Sequence, residues 1–148
     1  MSRSLKSVTG STRRVLTESE VLSRLRSKRG APGYRAMFSS WIGGVVTDPA
    51  LMQIPLDDHL VHRGHGVFDT CTLASGRLYR LGVHMDRLLR SATLARIEHP
   101  WSKEELIEMV IDTASAAGIR DGAVRYWMSV GPGGFSPSPK ECAESCLL

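Results

Sequence analysis

Apolar and polar positions change period several times along these 148 residues, and each change predicts an element. Residues 1–16 show no period and read as a disordered basic tail. Thr17 with Glu20 spells a capping box, and Val21, Leu22 and Leu25 form a short apolar stripe that Gly30 and Pro32 stop, which predicts a helix over 17–30. From Ala36 the period shortens to two. AMFSSWI, Gly43-Gly44 and VVTD read as a hairpin with a two-residue glycine turn, and VFDTCTLA and RLYRL read as a second hairpin joined by Ser75-Gly76. Met85, Leu88, Leu89, Ala92 and Ala95 then recur at helical spacing, with the helix beginning near Gly82. Ser102 and Glu105 cap another helix whose Leu106, Met109, Val110 and Ala114 share a face until Gly118. Residues 123–130, AVRYWMSV, are a further strand, and GPGGFSPSP after it is loop or linker. Strands, two helices and a strand again describe a small α+β domain with an antiparallel sheet, preceded by a basic helix and tail.

Charge alters that picture only at the N-terminal end. Residues 1–35 hold nine Lys/Arg against two Glu, whereas residues 36–148 hold ten against thirteen acids. The folded body is therefore slightly acidic, which argues against a nucleic-acid-binding core, since phosphate neutralisation needs basic residues clustered on its surface. No apolar run is long enough to span a membrane. Cys71, Cys142 and Cys146 make an odd count without an apolar signal segment and point to a reducing compartment. MSRSLKSVTGSTRR is rich in Arg, Ser and Thr and free of acids. That is the composition of an organelle transit peptide and also of many disordered termini, so the location is expected to be cytoplasmic or plastid.

Two stretches carry candidate chemistry. HLVHRGH at 59–65 offers an HxxH pair, but a structural zinc site needs four ligands, and the cysteines are a lone Cys71 in a strand and a distant pair in what reads as a solvated tail. Histidines lining a polar turn are the plainer account, and no metal site is expected. RLYRLGVHMDRLLRSA at 77–92 places His84 and Arg87 in or near the first two turns of a helix, where the dipole prefers acids. An anion held by free backbone N–H groups and an arginine explains that placement. Ordinary surface arginines, with Asp86 and Arg90 as an i,i+4 pair, explain it as well, and periodicity alone favours them. No serine lies in a nucleophile elbow, and no glycine pattern matches a phosphate loop or dinucleotide fingerprint.

LDDHLVHRGHGVFDT, the hairpin LASGRLYRL and HMDRLLRSATLARI together resemble the N-terminal small domain of class IV pyridoxal-phosphate enzymes. These are the branched-chain aminotransferases, D-amino-acid aminotransferases and aminodeoxychorismate lyases. The resemblance covers residues 36–135 and is greatest to the D-amino-acid transaminase-like branch of plants and algae. It implies the small domain of fold type IV, pyridoxal 5'-phosphate as cofactor, an amino acid or keto acid as substrate, and a homodimer. It assigns Arg87, in H-x-x-R-L, to the cofactor's phosphate. It places Arg63 and His65 of the RG-x-G turn, Phe68 of G-V-[FY]-[DE], and Arg125 on the substrate side. Bacterial D-amino-acid aminotransferases carry a further arginine where this chain reads SVGPGG, so their D-specific recognition does not transfer directly.

The resemblance also implies a lysine that holds the cofactor as a Schiff base and moves the α-proton, placed in the family's larger C-terminal domain. Lys6, Lys28, Lys103 and Lys140 do not stand in that context, so no catalytic residue is assigned. Residues 136–148 read as the start of an interdomain linker with the large domain absent. The expectation is a truncated transaminase or lyase of this family, a shortened product or a partial gene model, that contributes phosphate and substrate contacts and is inactive alone. The alternative is a non-catalytic module that docks on a full-length homologue.

Overall fold

A computed structural model describes residues 13–29 and 33–148, and the chain divides into two units, Met1–Ala31 and Pro32–Leu148. In the first unit, helix α1 spans Glu18–Arg29 and starts with the expected capping box. The Thr17 N–H donates to Glu20 Oε2 at 2.9 Å, and the Glu20 N–H donates to Thr17 Oγ1 at 3.4 Å. Most of the expected disordered tail, residues 1–12, lies outside the described residues.

The second unit opens with strands β1, Met37–Ser39, and β2, Gly44–Val46, paired antiparallel with Ser39 opposite Gly44. The predicted two-residue turn is thereby corrected to a four-residue turn, 40–43. The cause lies far along the chain. The Ser40 N–H donates to the carbonyl of Leu147 at 2.9 Å, and the Leu147 N–H donates to Ser40 Oγ at 2.9 Å, so Ser40 pairs with the C-terminal strand instead of extending its own hairpin.

The 59–65 stretch is corrected too: His59–Arg63 form a one-turn helix, α2. Asp58 caps it, its Oδ1 accepting from the Leu60 N–H at 2.8 Å. Gly64 ends it in the left-handed conformation, φ 66°, where a side chain would meet its own carbonyl.

Strand β3, Gly66–Ala74, then occupies an inner position of a four-stranded antiparallel sheet ordered β4-β3-β5-β6. Strand β4 is Arg77–Leu78, and the Ser75-Gly76 turn is as predicted, with positive φ at both residues. Helices α3, Leu81–Leu94, and α4, Lys103–Ala116, follow. Strand β5, Gly122–Ser129, pairs along the whole of β3 from Gly66↔Ser129 to Leu73↔Gly122. The core forms where the helical stripes meet one face of this sheet: Leu81, Met85, Leu88 and Ala92 of α3 and Leu106 and Val110 of α4 close over Cys71, Tyr126 and Met128. Each large apolar side chain removed from water there contributes about 1.5–3 kcal/mol.

The expected solvated tail is also corrected at its end. Strand β6, Cys146–Leu147, pairs with Met128 and Ser129, and Cys146, Leu147 and Leu148 are all buried. Burial pushes the Cys146 and Cys71 thiols above their ordinary pKa, which leaves both short of reactive thiolate at neutral pH.

The Ser102–Glu105 capping box of α4 is complete in both directions. Hydrogen bonds from the backbone and then the side chain of Ser102 hold the Glu105 carboxyl below its ordinary pKa. A depressed carboxyl stabilises the fold above its unfolded pKa and loses that contribution as pH falls through the folded value. Ser102→Ala is expected to cost about 1 kcal/mol in urea unfolding at pH 7. The difference from wild type should shrink in acid, once Glu105 is protonated in both.

Candidate functional site

Residues alternate across β3 and β5, so the two strands present one face to the helices and one away from them. Cys71, Tyr126 and Met128 turn inward, with Asp69 on the same side. Phe68, Thr70, Arg125 and Trp127 stand on the opposite face. Phe68 lies opposite Trp127, and Thr70 opposite Arg125. Arg125 donates from Nε to Thr70 Oγ1 at 3.1 Å. Its guanidinium carbon lies 5.4 Å from the centre of the Phe68 ring and 6.0 Å from that of Trp127, close enough for the ring quadrupoles to attract the cation. Phe68 is 61% exposed, so this cation and its aromatic neighbours form an accessible surface.

The helical side of the same strand carries a second group. The buried Asp69 carboxylate lies 3.3 Å from His84 Nδ1 through Oδ1 and 3.4 Å from Arg87 Nε through Oδ2, while Oδ1 also accepts from the Thr70 N–H at 2.7 Å. Arg87 remains 67% exposed. Helix α3 starts at Arg80 in the left-handed conformation, with no side-chain cap and no acid in its first turn. The two basic residues that the helix dipole disfavours there are thus turned towards Asp69. Tyr126 lies opposite Asp69 in register, and its buried hydroxyl has no partner. Burial, then the Asp69 carboxylate, push its phenol above the ordinary range, against the opposing pull of Arg87. Asp86 pairs with Lys103 rather than with Arg90.

The histidine-rich stretch is committed to backbone carbonyls. His59 Nε2 donates to Gly134 O at 3.2 Å, His62 Nε2 to Asp57 O at 3.3 Å, and His65 Nε2 to Ala95 O at 2.8 Å. Arg63 donates from Nη2 to Phe135 O at 2.8 Å, and the His62 ring lies 5.2 Å from that of Phe135. Ser129 Oγ donates to the buried Asp58 Oδ2 at 2.9 Å and accepts from the Gly131 N–H at 3.0 Å. Residues 57–65 are in this way stitched to residues 129–135. Among the described residues no group of three or more His, Cys, Asp or Glu is placed to hold a metal ion.

Of the residues singled out in the sequence, the structure brings Phe68 and Arg125 together. It sets Arg87 on the other side of the same strand, one residue away through Asp69, and gives Arg63 and His65 backbone partners elsewhere. Thr70 and Asp69 escaped the sequence reading because only the β3–β5 register shows what each faces. Trp127 was visible merely as one residue of the 123–130 strand.

Comparison with known proteins places these features in a family. The family model for amino-transferase class IV matches residues 66–148. The chloroplastic D-amino-acid transaminase of Arabidopsis thaliana is 50% identical over 133 residues, which are 90% of this chain and 36% of that protein. A putative branched-chain-amino-acid aminotransferase of Methanocaldococcus jannaschii is 30% identical over 108 residues, 73% of this chain and 38% of that protein. The chain therefore spans little more than a third of the length of these relatives. A solved branched-chain aminotransferase of the thermophilic archaeon Thermoproteus uzoniensis, with norvaline, superposes with a TM-score of 0.66 at 23% identity, covering 78% of this chain and 39% of that one. Its likeness agrees with the expected α+β fold. Because the family match takes in more than half of the chain, including β3 with Phe68 and Asp69, α3 with Arg87 and β5 with Arg125, this protein belongs to the class IV aminotransferase family.

Proposed function

We propose that these residues form the small-domain half of a pyridoxal-phosphate site for amino-acid transamination, in which Arg87 holds the cofactor's phosphate and Arg125 receives the substrate's carboxylate. The observation that carries the reading is Arg125 itself, an exposed cation fixed at its stem between two aromatic rings. A planar fork with its outer edge accessible suits a carboxylate, which it meets with two parallel N–H bonds.

The residues also fit the phosphate. Arg87 is mostly exposed and Asp69 engages it through Nε, so a dianion there meets an accessible cation. When bound, pyridoxal phosphate supplies an electron sink for the carbon bearing the amino group. The described lysines do not supply the base that moves the proton. Lys103 pairs with Asp86, and Lys140 lies in the short turn Pro139–Glu141. The reading is therefore of a contributing half, inactive alone, within a homodimeric enzyme acting on an amino acid and a keto acid. Similarity to a chloroplastic relative favours a plastid.

Pyruvate titrated into the isotope-labelled 148-residue chain should shift the amide signals of Phe68–Thr70 and of residues 123–127. Arg125→Ala should weaken binding by about ten- to a hundredfold, the worth of a charge-assisted hydrogen-bonded pair. No binding by wild type, or equal binding by Arg125→Ala, would contradict the carboxylate assignment.

A further inference from the structure

Arg125 is held more firmly than an exposed strand residue needs for stability. A long cationic side chain on such a face usually samples many rotamers, and ordering it costs conformational entropy. Exposed pairs return little of that cost. Here three contacts converge on one guanidinium: Thr70 Oγ1 on Nε at 3.1 Å, the Phe68 ring at 5.4 Å and the Trp127 ring at 6.0 Å. Nε is the nitrogen at the stem of the fork, so a bond there sets the plane of the guanidinium through its stem rather than through its outer edge. Thr70 lies directly opposite Arg125 in the ladder and Trp127 is two residues along the same strand, so a rigid sheet fixes both supports.

We propose that Thr70 and Trp127 are positioning residues that pre-set the plane of the Arg125 fork for the incoming carboxylate. The inference rests on Arg125 being the carboxylate receptor. Ordering the fork before the ligand arrives removes that cost from binding. Thr70 provides the cleaner test, because Thr70→Val keeps the volume and the β-branch, removes only the hydroxyl and leaves every charge in place. The Coulomb attraction for a carboxylate is unchanged, and an altered affinity reports orientation.

In nitrogen–proton spectra the Arg125 Nε–Hε signal should be slow to exchange with water and displaced by the two rings. Thr70→Val should broaden or abolish that signal and weaken pyruvate binding by roughly three- to tenfold, whereas Thr70→Ser should restore both to within about twofold. Trp127→Leu should move the signal and lower affinity in the same direction. In an Arg125→Ala background, Thr70→Val should produce no further loss. A Thr70→Val protein that keeps the Nε–Hε signal and the affinity of wild type overturns the inference, and so does a loss that persists without Arg125. Should Arg125→Ala bind pyruvate like wild type, the carboxylate reading falls with it. A loss in Arg125→Ala with none in Thr70→Val overturns the positioning inference and leaves the carboxylate reading standing.

Discussion

Gly131→Ala is expected to destabilise the unit containing residues 33–148 by about 2–6 kcal/mol, combining backbone strain and a forced overlap. Gly131 has φ +91°, a conformation that alanine adopts only under strain, and an added Cβ would collide with the backbone carbonyl of Glu144. A flexible side chain would swing away from such a collision, but Glu144 lies two residues before β6 and is held by its pairing with β5. Gly131 is also a junction. Its N–H donates to Ser129 Oγ at 3.0 Å and its carbonyl accepts from the His59 N–H at 3.2 Å. Moving it loosens both α2 and the loop that bears Phe135. Domains of this size are stable by about 5–15 kcal/mol, so the variant should be partly unfolded or melt far below wild type in urea. Gly82→Ala is the control: nothing lies within contact of its Cβ and its φ is not positive, so it should be neutral or slightly stabilising. Equal unfolding midpoints for Gly131→Ala and wild type would show that the 129–135 junction is not a fixed element.

The elements that were legible in the sequence are those with enough residues to establish a period. The apolar stripe through Met85, Leu88 and Ala92 and that through Leu106 and Val110 each predicted a helix, because a stripe of that spacing has to meet a sheet. Two capping boxes and the Ser75-Gly76 turn were readable because their chemistry is local. What was missed depended on partners far along the chain. Ser40 leaves its hairpin for Leu147, more than a hundred residues away, and a two-residue strand such as β6 has no period to read. Helix α2 is a single turn, too short for a stripe, although Asp58 before it and Gly64 after it were available as caps. At the site, Phe68 and Arg125 came from resemblance, whereas the position of Arg87 near a helix start already raised an anion and the resemblance chose it over an ordinary surface arginine. Thr70 and Asp69 emerged only with the β3–β5 register, which alternates them to opposite faces of the sheet.

Arg87→Ala is expected to lower affinity for a phosphate ester by about ten- to a hundredfold, since the dianion loses a charge-assisted partner contributing about 1.5–3 kcal/mol. The Asp69 carboxylate adds to the loss, because in the variant it faces the phosphate with one cation fewer to neutralise it. Arg87→Lys should recover part of the affinity, keeping a point charge without the fork. Arg90 lies three residues further along α3 with no contact to Asp69 among the described residues, and Arg90→Ala should bind as wild type does.

The half-site account is tested most directly by equilibrium dialysis of pyridoxine 5'-phosphate against wild type, Arg87→Ala, Arg87→Lys and Arg90→Ala. This probe carries the phosphate and ring of the cofactor but no aldehyde, so surface lysines cannot capture it. Binding in the order wild type and Arg90→Ala, then Arg87→Lys, then Arg87→Ala is the predicted result. Equal binding by Arg87→Ala and Arg90→Ala, or none by wild type, would mean that Arg87 serves only Asp69, and the proposed phosphate site would be wrong.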